Sequence, residues 1–132
     1  MRRARAAGSS PDIDWDNLIA EVTDLGDDML DVAEGLITQI LARLLELEFA
    51  VVDPVARPRR HWQAEVEAYR GHLRRRVKRA PSALKQIDLA ELYADARRIA
   101  ALSLDRADLP ERCPYALQAQ VMETGWYPVA HS

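Results

Sequence analysis

The chain has little of several things. Among 132 residues it holds one cysteine, Cys113, one phenylalanine and five glycines. A single thiol excludes an intrachain disulfide and suits a reducing compartment. No run approaches the ~18 uninterrupted apolar residues of a membrane-spanning helix, so no membrane association is expected. The opening MRRARAAGSS has basic residues but no apolar stretch behind them, unlike a secretory signal. It reads as a flexible basic N-terminus over residues 1–9, and the cytoplasm is the expected location. There is no glycine-rich phosphate loop, no paired Cys–x–x–Cys and no nucleophile elbow around a serine. Strand-like alternation and internal repeats are absent as well.

What is present is apolar content of 48%, enough for a folded core. It is laid out in steps of three and four, the period of an amphipathic helix. Trp15, Leu18, Ile19, Val22, Leu25, Met29, Val32, Leu36, Ile37, Ile40, Leu44 and Leu47 make the first series. Ser10 or Asp12 can cap its start, with Pro11 in a first helical position. Gly26 either sits inside one continuous helix, at about 1 kcal/mol against Ala, or ends a first helix at Leu25. Asp27 and Asp28, suited to the first turn of a helix, favour the second choice. The stretch Leu36–Leu47 is apolar nearly all round and is expected to be the most buried element.

Asp53–Pro54 and Arg57–Pro58 mark a loop. A helix is expected over 59–78, with Trp62, Val66, Tyr69, Leu73 and Val77 facing inward. Arg60, Arg70, Arg74 and Lys78 are expected mostly on the opposite side. Ala80–Pro81–Ser82 stops this helix, and a short turn runs on to Ile87. Asp88, with Glu91 three residues later, opens another helix as a capping pair. Its stripe is Leu89, Leu92, Tyr93, Ala96, Ile99 and Ala100. After the loop at Leu109–Pro110 and Cys113–Pro114, residues 115–122 form a last short helix before a Gly125–Trp126–Tyr127–Pro128 tail. The fold class is therefore all-α. The pattern predicts a single-domain up-and-down bundle of about five helices over 10–129, with a looped C-terminal arm and a loose end at 130–132.

These residues, taken in order, resemble a known set. Asp14–Trp15–Asp16–Asn17–Leu18–Ile19, followed by Glu21 and Leu25–Gly26, is similar to the opening motif of the domain of unknown function 29 family. Leu41–Ala42–Arg43–Leu44–Leu45, Trp62 with Val66, Pro81–Ser82, and Tyr93 with Ala96 resemble its later motifs. So does Leu109–Pro110–Glu111–Arg112–Cys113–Pro114–Tyr115–Ala116–Leu117. The resemblance covers about residues 12–129 and implies a helical bacterial protein, with no activity attached. Arg43 stands where the family usually has His, Glu46 stands where Lys is common, and the family's usual opening helix has no counterpart before Asp14. If that His does chemistry in relatives, the resemblance does not carry it here.

Charge is unevenly distributed. The formal net charge is −3, yet residues 12–53 carry twelve acids and one base, Arg43, while residues 57–79 carry nine bases and two acids, Glu65 and Glu67. Either the two segments complement each other inside the fold or they act on partners. Arg74, Arg75 and Arg76, with Lys78 and Arg79, form the densest basic run. Such a run can be a solvated or acid-paired face, or can neutralise phosphates.

Candidate chemistry is sparse. Cys113 before Pro114, at an expected helix start, is either a small residue fixing a turn or a thiol activated by the helix end and Arg112. His61 and Glu65 share a helix face, but two ligands do not make a metal site, and His72 lies about 16 Å further along. Asp14, Asp16 and Glu21 serve a helix start or an acid–base set. Trp15 and Trp62 belong on core stripes, and Trp126 can pack at home or anchor across a subunit boundary. The combined expectation is a non-enzymatic protein–protein interaction module, either homo-oligomeric or bound to a small protein, without cofactor or metal. Nucleic-acid binding through the basic helix 59–79 is one alternative. An enzyme using Cys113 is the other.

Overall fold

The computed structural model describes the backbone of residues 15–50 and 57–130, with side chains from Met29 to Ala50 and from Arg59 to Ala130. The expected flexible N-terminus, its capping residues Ser10 and Asp12, the loop at Asp53–Pro54 and the last two residues lie outside it. So do the side chains of Trp15, Asp16, Asn17 and Glu21, and all of Asp14. Among the described residues every regular element is helical. These are α1 (Trp15–Phe49), α2 (Arg57–Arg79), a 3-10 helix (Pro81–Gln86), α3 (Leu89–Leu104) and one π-type turn (Leu117–Val121).

α1 corrects the first expectation. It is a single helix of 35 residues running through Gly26, with no break after Leu25. A glycine inside a helix costs only about 1 kcal/mol, and a long helix with a buried face absorbs that. From Met29 onward α1 is the centre of the fold. Ile37, Ile40, Leu41, Leu44 and Leu45 have no exposure, each side chain contributing about 1.5–3 kcal/mol by leaving water. α2 and α3 flank α1 and scarcely touch each other. This explains why the segment Leu36–Leu47 is apolar nearly all round.

Cross-contacts fix the directions. Arg76 reaches Met29, Glu65 meets Arg43, and Arg59 reaches Leu47, so α2 runs antiparallel to α1. Ser103 meets Glu46 and Arg106 meets Phe49, so α3 runs parallel to α1. The path is up, down, up.

α2 begins earlier than expected. Arg57–Pro58 belongs to its first turn rather than to a loop, a position where proline loses no hydrogen bond. The stop at Ala80–Pro81 holds, and the turn after it winds as a 3-10 helix. Asp88 caps α3 as expected, its carboxylate accepting from the Glu91 amide at 3.3 Å. α3 ends on Asp105 in the left-handed region (φ 52°), where a short polar side chain is tolerated. The last helix, expected over 115–122, shrinks to Leu117–Val121.

α1 has no basic residue in its own last turn. Arginines from elsewhere take that role. Arg59 donates to the Leu47 carbonyl at 2.7 Å, and Arg106 to the Phe49 carbonyl at 2.6 Å. The guanidinium of Arg106 also lies over the Phe49 ring and forms a two-pronged pair with Asp108. These contacts satisfy open carbonyls and oppose the negative helix end.

Candidate functional site

Arg70 is the residue that sequence reasoning misplaced. It was expected on the outer side of α2 and is instead completely buried. Its Nε donates to the Val121 carbonyl at 2.8 Å. One terminal nitrogen donates to the carbonyls of Gln120 (2.8 Å) and Trp126 (2.9 Å), the other to Glu67 Oε2 (2.8 Å). The guanidinium also lies 5.5 Å from the centre of the Tyr127 ring. A buried charge persists only when paired and fully bonded, and the arm's backbone supplies the acceptors. Spacing held a signal for this. Trp62, Val66, Arg70, Leu73 and Val77 step by four, four, three and four, so position 70 lies on the apolar stripe.

Glu67 completes the clasp. Its Oε2 also accepts from the Tyr127 hydroxyl at 2.6 Å and the Gly125 amide at 2.9 Å. Burial pushes its carboxyl up, but Tyr127, the Gly125 amide and Arg70 together hold it below the usual glutamate range. Burial and the Glu67 contact push the Tyr127 phenol up to about 12. Gly125 turns the chain with φ +80°, a conformation that favours glycine. Trp126, weighed as an anchor across a subunit boundary, packs edge-on against Tyr115 at 6.0 Å within its own chain.

A second polar centre sits between α1 and α3. Glu46 is 1% exposed, bonded to Arg43 one turn away and to the Ser103 hydroxyl. The Arg43 Nε lies 3.0 Å from Glu65 Oε1, although its N–H is not aimed at that oxygen. Burial opposes the charge on Arg43, but Glu46 and Glu65 hold its guanidinium above the ordinary arginine value. The two residues noted as departures from the resembled family are therefore partners.

The other candidates are placed as follows. Cys113 does not stand at a helix start, because the π-type turn begins four residues later, at Leu117. The half-buried thiol donates to the Tyr115 carbonyl at 3.4 Å, and burial pushes it up. Nearby, the Tyr93 hydroxyl donates to the Pro110 carbonyl at 2.5 Å, and burial raises its phenol to about 12. Tyr115 donates to Glu48 at 2.7 Å. His61 lies 3.5 Å from Glu65, and His72 accepts from Arg76, so the two histidines have separate neighbours. Among the described residues no group of three or more His, Cys, Asp or Glu could hold a metal ion.

The basic run divides by position. Arg76 is half-buried, bonded to His72 and reaching the Met29 sulfur. Arg74, Arg75, Lys78 and Arg79 are exposed, as is Lys85 on the following 3-10 helix. Arg74 donates to the Thr124 hydroxyl at 2.8 Å. Among the described residues Arg75, Lys78, Arg79 and Lys85 form no ion pair. The charged halves do lie side by side in α1 and α2, but the described ion pair between those helices is Arg43–Glu65.

Two comparisons with known proteins, one with curated proteins and one with solved structures, find no match. A family model, described as Domain of unknown function DUF29, matches residues 5–127.

Proposed function

The chain belongs to the DUF29 family, and from that premise we propose that it is a non-enzymatic protein–protein interaction module, acting with a second copy of itself or with another small protein. The observation that carries this reading is the far end of α2. Arg74, Arg75, Lys78 and Arg79 are displayed there with Lys85, on a chain whose net charge is −3. A concentrated patch of sign opposite to the whole steers encounter with a complementary surface and rejects like-charged partners.

Four further charged residues support the same reading. Arg70, Glu67, Arg97 and Arg106 are committed to carbonyls and carboxylates of their own chain. They stiffen the body that presents the patch. The cytoplasm is the proposed setting, in keeping with the single thiol.

The test is a tagged full-length bait, lightly cross-linked in its host and recovered at moderate salt, beside a bait carrying Arg74→Glu, Arg75→Glu, Lys78→Glu and Arg79→Glu. A specific protein held by the parent and lost by the variant is the expected result. Nucleic acid recovered instead, with affinity falling steeply in salt, replaces this reading with phosphate binding through α2. Identical recovery by both baits refutes the role of the patch.

A further inference from the structure

α2 and α3 stand on two flanks of α1, and each turns one long face outward. From Arg59 onward every exposed residue of α2 is Arg, Lys, His or Ala. Arg60, Ala64, Ala68, Gly71 and Arg75 follow one another along that face in steps of three and four. Beside Gly71, one terminal nitrogen each of Arg74 and Arg75 lies 3.7 Å from where a Cβ would stand. The cationic heads thus gather over a residue without a side chain. Among the described residues Arg60 and Arg75 form no ion pair. Arg76 beside Met29 and Arg59 beside Leu47 set the five level with roughly residues 30–46 of α1.

The outward face of α3 repeats the small residues with the opposite sign. Ala90, Ala94 and Ala101 share it with Glu91 and Asp95, between the exposed cap residues Asp88 and Asp105. Its one base, Arg98, is already paired with Asp95. Leu102 stands out from it, 85% exposed, as an apolar anchor with nothing of its own chain over it.

The two faces match in register as well as in sign. α2 runs antiparallel to α1 and α3 parallel to it. A copy set beside another by a sideways step therefore lays α2 of one antiparallel to α3 of the next. The same cross-contacts put Arg75 about level with Asp88, Gly71 with Glu91, Ala68 with Ala94, Ala64 with Arg98, and Arg60 with Leu102 to Asp105. Base meets acid at both ends, and Arg98 meets a small residue. Alanine against alanine lets two helices approach to about 8 Å, and antiparallel neighbours oppose their helix dipoles.

We propose that the outer face of α2 docks on the outer face of α3 of a second copy. The inference rests on the interaction-module reading and names the partner. Because the two faces differ, each docked pair leaves one of each kind free, and the pairing runs on as a ring or filament instead of closing at two.

The experiment is sedimentation of the full chain over a range of concentrations and salt. The unaltered protein grows past the dimer as concentration rises, and salt opposes this. Leu102→Asp weakens the association roughly tenfold or more, as loss of an apolar anchor does. Ala68→Glu with Arg75→Glu closes the α2 face by repulsion. Ala94→Tyr with Leu102→Asp closes the α3 face by bulk and loss of the anchor. All four positions are exposed, so both variants keep the parent's melting midpoint, and each alone is monomeric. Mixed in equal amounts they form a dimer and nothing larger, since one intact face of each kind remains. A misfolded copy could not supply that face.

A parent that stays monomeric overturns the proposal, as does one that stops at two. Variants that associate like the parent overturn it, and so does a mixture that stays monomeric or grows past the dimer. A monomeric parent that still captures another protein through Arg75 and Lys78 overturns the second copy as partner and leaves the interaction-module reading standing.

Discussion

The guanidinium of Arg70 donates at 2.9 Å to the carbonyl of Trp126, a residue 56 positions further along the chain. With its bonds to Gln120 and Val121, this contact ties the C-terminal arm to α2. Arg70→Met leaves the carbonyls of Gln120, Val121 and Trp126 without their arginine donor and removes one of the donors to Glu67. Unmade buried hydrogen bonds are costly, so the expected loss is about 3 kcal/mol, read as a lower urea midpoint. Arg70→Lys keeps the charge but cannot reach the same spread of acceptors. It is expected to lose about 2 kcal/mol. A midpoint unchanged in both variants contradicts the clasp.

Glu67 gives the clasp a pH dependence. Its folded-state carboxyl lies below the ordinary value of 4.5. A depressed carboxyl contributes stability that is present above its unfolded value and is lost as pH falls through the folded one. Glu67→Gln lacks that contribution. The gap in unfolding midpoint between parent and variant is therefore expected to hold steady near neutrality and to close below pH 4.5. A gap that widens on acidification contradicts the assignment.

Arg43 and Glu46 are a coupled pair. Arg43→Met alone leaves the carboxylate of Glu46, 1% exposed, with Ser103 as its one remaining partner among the described residues. Stranding a buried charge costs about 3 kcal/mol or more. Arg43→Met with Glu46→Met removes both charges and is expected to be more stable than the single variant. A double-mutant cycle in urea measures the coupling. Additive effects contradict the pairing.

Cys113 has its thiol pushed up by burial, and the thiolate is the reactive form. Thiol-reactive probes at neutral pH are expected to label it more slowly than free cysteine. Faster labelling revives the enzymatic alternative.

These residues also mark how far the sequence could be read. The helical period located α2 to within two residues at each end, and the Asp–x–x–Glu spacing located the cap of α3, because both signals are local. Gly26 misled because a single propensity penalty is small beside the packing of a long helix. Arg70 misled because residue type was weighed above position. Its spacing put it among the buried residues, but its acceptors are backbone carbonyls some fifty residues away, in an arm without a periodic pattern. Glu46 was legible only as a departure from a resembled motif. Its partner Ser103 lies on a helix that the sequence does not place beside it.

The most direct test of the interaction reading is a photo-cross-linking residue at position 78 of the full chain, in its host, with position 111 in the exposed loop after α3 as the control. The account predicts a protein adduct formed from position 78 and absent from position 111. An adduct twice the mass of the chain identifies the partner as a second copy. Nucleic acid captured at position 78, or equal capture at both positions, contradicts it.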